Sequence, residues 1–148
     1  MTKRQNDRPE RLRAMVEAAK AMAHPARLRL VGMLATGELC VCQMTSVLEL
    51  APSTVSQHLS VLARGGLVTE RKEGKLVFYR LREDGVAGTL LAPLLGSLGG
   101  DPTARADQAL VARLRKVPVA TLCAADLDLA AVGVRRPPAR KSPSTARA

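Results

Sequence analysis

The sequence predicts a mainly α-helical domain that carries one small β-hairpin, an arrangement of the α+β class. Apolar residues recur at three- and four-residue spacing in successive segments, which is typical of amphipathic helices. Residues 67–81 are instead rich in β-branched and aromatic residues and are interrupted by Lys72-Glu73-Gly74, which predicts two strands joined by a turn. The chain has 148 residues and is 47% hydrophobic, which fits one domain with a buried core.

Proline and glycine mark the ends of the predicted helices. Pro25 stops the first helix, because the residue before a proline disfavours helical geometry, and Gly37 closes the second. Ser53 or Thr54 is the expected cap of the fourth helix. The predicted helices cover about residues 11–23, 26–36, 40–49, 54–64, 85–98 and 103–116.

We expect a single structured domain with flexible ends. The domain spans residues 9–118, and the polar segment before it, 1–8, is expected to be flexible. Residues 119–134 are apolar without clear periodicity and carry Cys123. Residues 135–148 are rich in Arg, Pro and Ser and are expected to form a basic disordered tail.

The positive charge of the chain indicates a nucleic-acid partner. The formal net charge is +10. Residues 1–82 carry 14 basic and 7 acidic side chains, and residues 135–148 carry 5 basic and no acidic ones. A domain with this charge most often meets nucleic acid. Phe78 and Tyr79 are the only aromatic residues, which argues against a module that stacks bases on aromatic side chains.

The chain has the features of a cytoplasmic protein with free thiols. No apolar run approaches the roughly 18–20 residues of a membrane span, and the N-terminus lacks the apolar stretch of a secretory signal. The cysteines are Cys40, Cys42 and Cys123, an odd number that favours metal binding or redox chemistry over a disulfide scaffold. An enzyme is not expected, because we find no nucleophile–base motif, phosphate-binding glycine loop or paired carboxylates.

Two helices around a tight turn, followed by a basic hairpin, predict a winged helix-turn-helix that binds double-stranded DNA. Val55, Leu59 and Leu62 would face the core and leave the other side of the fourth helix free for base edges, while cations in the hairpin contact phosphates. His58 is either a base contact or a residue packed at the boundary between helix and wing. The candidate DNA contacts are Ser53, Thr54, Ser56, Gln57, His58, Ser60, Arg64, Arg71, Lys72, Lys75 and Arg80.

Three motifs carry a resemblance to a known family. Glu38-Leu39-Cys40-Val41-Cys42-Gln43-Met44, Ser53-Thr54-Val55-Ser56-Gln57-His58-Leu59 and Gly66-Leu67-Val68 resemble the ArsR/SmtB family of metal-sensing repressors, over roughly residues 11–98. The resemblance implies a homodimer joined through the first and last helices of the domain. It also implies that the dimer binds operator DNA without ligand and leaves it when a metal or metalloid binds.

The resemblance further implies a thiol site for the inducer. In the arsenic-sensing branch, ELCVC is followed by a third cysteine three residues on, but here that position is Thr45. A hydroxyl is a poor ligand for a soft ion. Trivalent arsenic or antimony prefers three thiolates, so we expect Cys40, Cys42 and Cys123 to bind As(III) or Sb(III) as inducer, without an organic cofactor. Whether Cys123 comes from the same protomer or its partner, or is structural, stays open.

The spacing of Cys40 and Cys42 constrains the binding geometry. In a regular helix, positions i and i+2 point about 200° apart, so two sulfurs there cannot converge on one ion. They converge if the segment is extended or if the first turn of the third helix unwinds, and we therefore expect binding to distort that turn. A position at a helix N-terminus is also expected to lower the pKa of these thiols.

Other inducers remain as alternatives. Zinc sensors of the family use Asp and His ligands on their last helix, which this chain lacks, since its histidines are His24 and His58. Cadmium or lead follows arsenic and antimony as the candidate ion, and methylated arsenicals need only Cys40 and Cys42. A thiol redox or persulfide sensor is the other alternative, with Cys123 bonded to Cys40 or Cys42.

Overall fold

The computed structural model describes residues 7–138. Residues 1–6 of the expected flexible segment 1–8, and residues 139–148 of the expected basic tail 135–148, lie outside these described residues, and the first helix already begins at Asp7. None of the helices within 7–138 is both long and apolar enough to cross a membrane. The elements in chain order are α1 (Asp7–Met22), α2 (Pro25–Leu34), β1 (Leu39–Cys40), α3 (Val41–Leu48), α4 (Pro52–Arg64), β2 (Val68–Glu73), β3 (Leu76–Leu81), α5 (Gly85–Leu98), α6 (Pro102–Leu114) and α7 (Val119–Ala124).

The predicted fold class is confirmed, and the sheet has one strand more than the predicted hairpin. The three strands are antiparallel in the order β1-β3-β2. Strand β1 places Leu39 opposite Tyr79 and Cys40 opposite Phe78. The sequence predicted Cys40 at the start of the third helix, because a two-residue strand is too short to show an alternating pattern of apolar and polar residues. Strand β1 joins the ELCVC segment, residues 38–42, directly to the wing.

Two details of the turns differ from the prediction. The hairpin loop is Gly74-Lys75, because Glu73 already pairs with Leu76, and Gly74 supplies the positive φ of 58°. The cap of α4 is Ala51 rather than Ser53 or Thr54. Pro52 occupies the first turn, where its missing N–H costs nothing, and the chain is therefore already helical at both predicted capping positions.

The helix-turn-helix consists of α3 and α4, and α4 is anchored as predicted. Val55, Leu59 and Leu62 are fully buried. Leu30 and Val31 of α2 belong to the same core, which also takes in α3 and the base of the wing. Helix α4 is therefore held on one side along its length, which leaves its opposite side exposed.

The C-terminal third folds back over the helix-turn-helix. Arg29 of α2 makes a bidentate pair with Asp107 of α6, with both N–O distances 2.8 Å, and Asp107 is 3% exposed. Gln108 donates to the Gly32 carbonyl oxygen at 3.0 Å. Helix α7 then packs against α3 with Leu122 fully buried. Residues 119–134 showed no helical period because α7 has only six residues and is followed by turns.

Candidate DNA interface and thiol site

The outer face of α4 presents the predicted base-reading side chains. Buried Val55, Leu59 and Leu62 fix which side of the helix faces away from the core. Small neutral hydroxyls and one amide on that side are suited to hydrogen bonds with base edges. Among the predicted contacts, Thr54 is half-buried. The exposed ones are Ser53, Ser56, Gln57, Ser60 and Arg64.

His58 is packed, although against α2 rather than at the boundary with the wing. Its ring centroid lies 4.5 Å from that of His24, and the Arg27 guanidinium lies 3.4 Å from its Nδ1. Burial lowers the pKa of His58, and the nearby His24 and Arg27 lower it further. This environment favours the neutral imidazole, and His58 helps to join α4 to the start of α2.

The wing carries four predicted phosphate contacts, of which one is strongly paired with carboxylates. Arg71 bonds Glu38 at 2.6 and 3.3 Å and Glu73 at 2.8 Å, and its guanidinium lies 4.6 Å from the centre of the Phe78 ring. The hydrogen bond from Arg71 holds the pKa of Glu38 below its ordinary value. Arg71 therefore ties the wing to the residue before β1, besides adding positive charge.

The other three wing cations are exposed. Lys72 lies 3.9 Å from a carboxylate oxygen of Glu70. Within residues 7–138, no carboxylate lies within ion-pair distance of Lys75 or Arg80. These two side chains are thus the wing cations best placed to contact phosphates.

We expect the double substitution Lys75→Ala and Arg80→Ala to flatten the salt dependence of DNA binding. Losing two phosphate contacts should reduce the slope of log K against log salt by about 1.8. Arg71→Ala is the matched control. Its effect on the slope should be less than half that of Lys75→Ala alone or Arg80→Ala alone, because Glu38 and Glu73 already engage the Arg71 guanidinium. Anisotropy titrations at four salt concentrations measure the slopes, and equal slopes for wild type and the double variant would contradict this assignment.

The structure brings two of the three cysteines into contact within one protomer. The sulfurs of Cys42, in the first turn of α3, and Cys123, in α7, lie 2.7 Å apart as free thiols. Both side chains are half-buried. Cys40 lies at the end of β1, 1% exposed, with its N–H donating to Gln43 at 2.8 Å. Cys123 thus lies within reach of Cys42 of its own protomer.

The helical constraint on Cys40 and Cys42 does not apply. Cys40 precedes α3 and has extended backbone, with φ −75° and ψ 147°. Unwinding of α3 is therefore not required for the sulfurs to converge, and the distortion of its first turn on binding stays a prediction. Within residues 7–138, no group of three or more His, Cys, Asp or Glu side chains is arranged to hold a metal ion. Binding through three sulfurs would consequently require Cys40 to approach the Cys42–Cys123 pair.

The predicted effect of the helix N-terminus on the thiols is wrong for Cys42. Its pKa is raised well above the ordinary value, first by burial and then by the hydrogen bond with Cys123, with a further contribution from nearby Cys40. Burial beneath α7 disfavours the thiolate more than the helix end favours it. Thr45 is 4% exposed and its hydroxyl donates to the Val41 carbonyl oxygen at 2.8 Å, so it takes part in helix bonding rather than in a ligand set.

The comparisons with known proteins agree with this architecture. Residues 24–70, from the start of α2 into β2, match the family described as bacterial regulatory protein, arsR family. The solved structure of reduced HlyU from Vibrio cholerae is 41% identical, with the match covering 64% of this chain and 99% of that chain at a TM-score of 0.52. The chain is therefore a winged helix-turn-helix protein and belongs to the ArsR family of transcriptional regulators.

Curated relatives cover the same central region. The biofilm growth-associated repressor of Agrobacterium fabrum is 47% identical over 68 residues, 46% of this chain and 58% of the relative. The arsenic resistance transcriptional regulator ArsR1 of Pseudomonas putida is 39% identical over 66 residues, 44% of this chain and 52% of the relative. The matches thus span little more than half the length of these relatives.

The homodimeric winged helix-turn-helix domain of Mb0332 from Mycobacterium bovis is 29% identical, covering 67% of this chain and 87% of that one at a TM-score of 0.53.

Sequence reasoning missed three contacts that shape the site. Cys40 pairs with Phe78 in the sheet, Arg71 binds Glu38, and Arg136 contacts the end of α3. Each contact joins residues distant in sequence, so no local spacing signals it. Arg136 belongs to the segment 135–148 that was expected to be disordered, and its guanidinium contacts the end of α3.

Proposed function

We propose that the protein is a metalloid-responsive transcriptional repressor of the cytoplasm. It binds operator DNA as a homodimer and is released when As(III) or Sb(III) binds Cys40, Cys42 and Cys123. The observation that supports this most strongly is the contact between the sulfurs of Cys42 and Cys123, which lie 2.7 Å apart. Sulfur is a soft ligand, and this contact joins α3, the first helix of the helix-turn-helix, to the C-terminal segment. The name of ArsR1 as an arsenic resistance regulator supports the choice of arsenic.

Arsenite binding by thiols is an exchange of ligands on arsenic. Arsenite is neutral As(OH)₃ near pH 7. When three thiols bind it, three As–S bonds form, three As–O bonds break, and each thiol proton leaves with a hydroxyl group as water. No electron is transferred. The raised pKa of Cys42 therefore does not oppose binding, since the reaction consumes thiols and releases water.

The positions of the cysteines connect the inducer to both DNA-binding elements. Cys42 lies in α3, which packs on the recognition helix α4. Cys40 is paired with Phe78 of wing strand β3. A movement of Cys40 toward the Cys42–Cys123 pair would shift β1 against the wing. We propose that the inducer binds more tightly to a conformation in which α4 and the wing fit DNA less well. Inducer binding then shifts the protein toward that conformation.

A titration of the operator complex with arsenite tests the proposal. Fluorescence anisotropy would follow the wild-type protein on DNA from upstream of its own gene, under strong reductant. We expect stoichiometric release by arsenite or antimonite. Retention on the operator at saturating arsenite would contradict the proposal, and release by Cd(II) or Pb(II) alone would identify a cadmium or lead sensor.

A redox sensor on the same thiols is the second candidate, and the 2.7 Å contact also favours it. Two thiols that form a disulfide lose two electrons and two protons, so this switch needs an oxidant such as a peroxide or a persulfide donor. Release only with oxidant, reversed by reductant, would support this alternative over metalloid binding.

The exposed apolar side chains of α1 fit a dimer interface. Leu12, Met15 and Val16 are 66%, 38% and 42% exposed. We expect Leu12→Lys with Val16→Lys to convert a dimer to a monomer and to weaken operator binding, because charge on a buried apolar patch opposes association. Lys20→Ala, at an exposed position of the same helix, is the control. Analytical ultracentrifugation measures the mass, and an unchanged dimer would contradict this interface.

A further inference from the structure

The segment after α6, residues 118–136, forms a C-terminal strap that contacts α3 at both ends. Near its start, Cys123 meets Cys42 in the first turn of α3. At its end, the Arg136 guanidinium donates to the carbonyl oxygens of Ser46 and Val47 at 2.5 and 3.0 Å. The last carbonyls of a helix have no partner within the helix, and a cation there is also favoured by the helix dipole.

Helix α7 packs on α3 near the start of the strap, and the residues after α7 are anchored by a few contacts. Leu129 and Val134 are buried, and Arg113 of α6 donates to the Arg135 carbonyl oxygen at 2.8 Å. An open groove of about 620 Å³ separates the strap from the outer face of α3. The strap therefore contacts α3 through the thiol pair and α7 on one side of this groove and through Arg136 on the other.

Arg136 also reaches the turn of the helix-turn-helix. Its guanidinium pairs with Glu49 at 3.0 Å, and Glu49 ends α3 in the left-handed conformation, with φ 56°. Two residues later, Ala51 caps α4. The ion pair alone contributes little, because Glu49 is 69% exposed. Together with the two carbonyl bonds, it places Arg136 on the short segment that sets the direction of the recognition helix.

We propose that Arg136 is a positioning residue that transmits binding at the Cys42–Cys123 pair, through the C-terminal strap, to the turn before the recognition helix. This inference rests on the proposed metalloid response. Without Arg136 the strap loses its contacts with the end of α3, so a change at the thiol pair moves the strap and leaves the turn in place. Inducer binding and operator binding then persist while the coupling between them falls.

The coupling is measured by operator affinity with and without saturating arsenite, under reductant. Arg136→Ala should still bind the operator without arsenite, and its arsenite-induced loss of affinity, relative to its own affinity without arsenite, should be at least fivefold smaller than that of wild type. Arg135→Ala is the matched control, since it removes the same charge from the neighbouring exposed position. Arg136→Lys should recover little, because an ammonium group cannot reproduce the planar fork of donors. An undiminished arsenite effect in Arg136→Ala would overturn the inference.

Hydrogen exchange separates this inference from the proposed function. In the absence of inducer, Arg136→Ala should exchange faster than wild type at residues 46–56, and Arg135→Ala should not. If wild type ignores arsenite, the metalloid proposal fails and the exchange at the turn still decides whether Arg136 holds it. Unchanged exchange at residues 46–56 would overturn the inference whatever the response to arsenite.

Discussion

Cys123→Ser is expected to leave operator binding intact while raising the arsenite concentration for half-release at least about 100-fold. Loss of a supporting outer contact at a metal site typically costs 10–100-fold, and a lost ligand should cost no less. Basal DNA binding should persist, because Cys123 lies in α7 and contacts α3 rather than α4 or the wing. Anisotropy titrations of wild type and variant under reductant measure both quantities.

Substitutions of Cys40 and Cys42, with one of Thr45 as the control, complete this test. Cys40→Ser and Cys42→Ser should show the same loss of response. Thr45→Val is the matched control within α3, and it should respond as wild type does, because its hydroxyl is engaged with the Val41 carbonyl oxygen. Equal release of Cys123→Ser and wild type would contradict the three-sulfur site and reduce it to Cys40 and Cys42.

Gln57→Ala is expected to weaken binding to the operator by about 10–100-fold, which corresponds to the roughly 1–3 kcal/mol carried by a bidentate contact with a base. Gln57 is exposed on α4, on a helix whose opposite face is anchored by fully buried Val55, Leu59 and Leu62. The fold should not change, because the side chain adds nothing to the core.

Binding to DNA of unrelated sequence provides the control for Gln57→Ala. That affinity depends on phosphate contacts, so the substitution should leave it unchanged. Competition titrations with operator and unrelated DNA give the ratio directly. An equal loss on both kinds of DNA would show that Gln57 does not read sequence.

The features that follow local rules were predictable from the sequence. The spacing of Val55, Leu59 and Leu62 indicated which face of α4 is buried, because a helical period repeats within a few residues. Gly74 was correctly placed at a turn with positive φ, although the loop is Gly74-Lys75 rather than the expected Lys72-Glu73-Gly74.

The features that depend on tertiary contact were not predictable. Strand β1 has two residues and exists because Leu39 and Cys40 lie against β3, 38 or more positions along the chain. The raised pKa of Cys42 follows from burial and from Cys123, 81 residues away, which local reasoning about a helix end omits.

The central claim is that one arsenic atom binds the sulfurs of Cys40, Cys42 and Cys123. Arsenic K-edge X-ray absorption of the arsenite-loaded protein under reductant tests it most directly, because it counts the sulfur neighbours of arsenic. We predict three sulfur neighbours in wild type and two, completed by oxygen, in Cys123→Ser. The same sulfur count in wild type and Cys123→Ser would contradict the account.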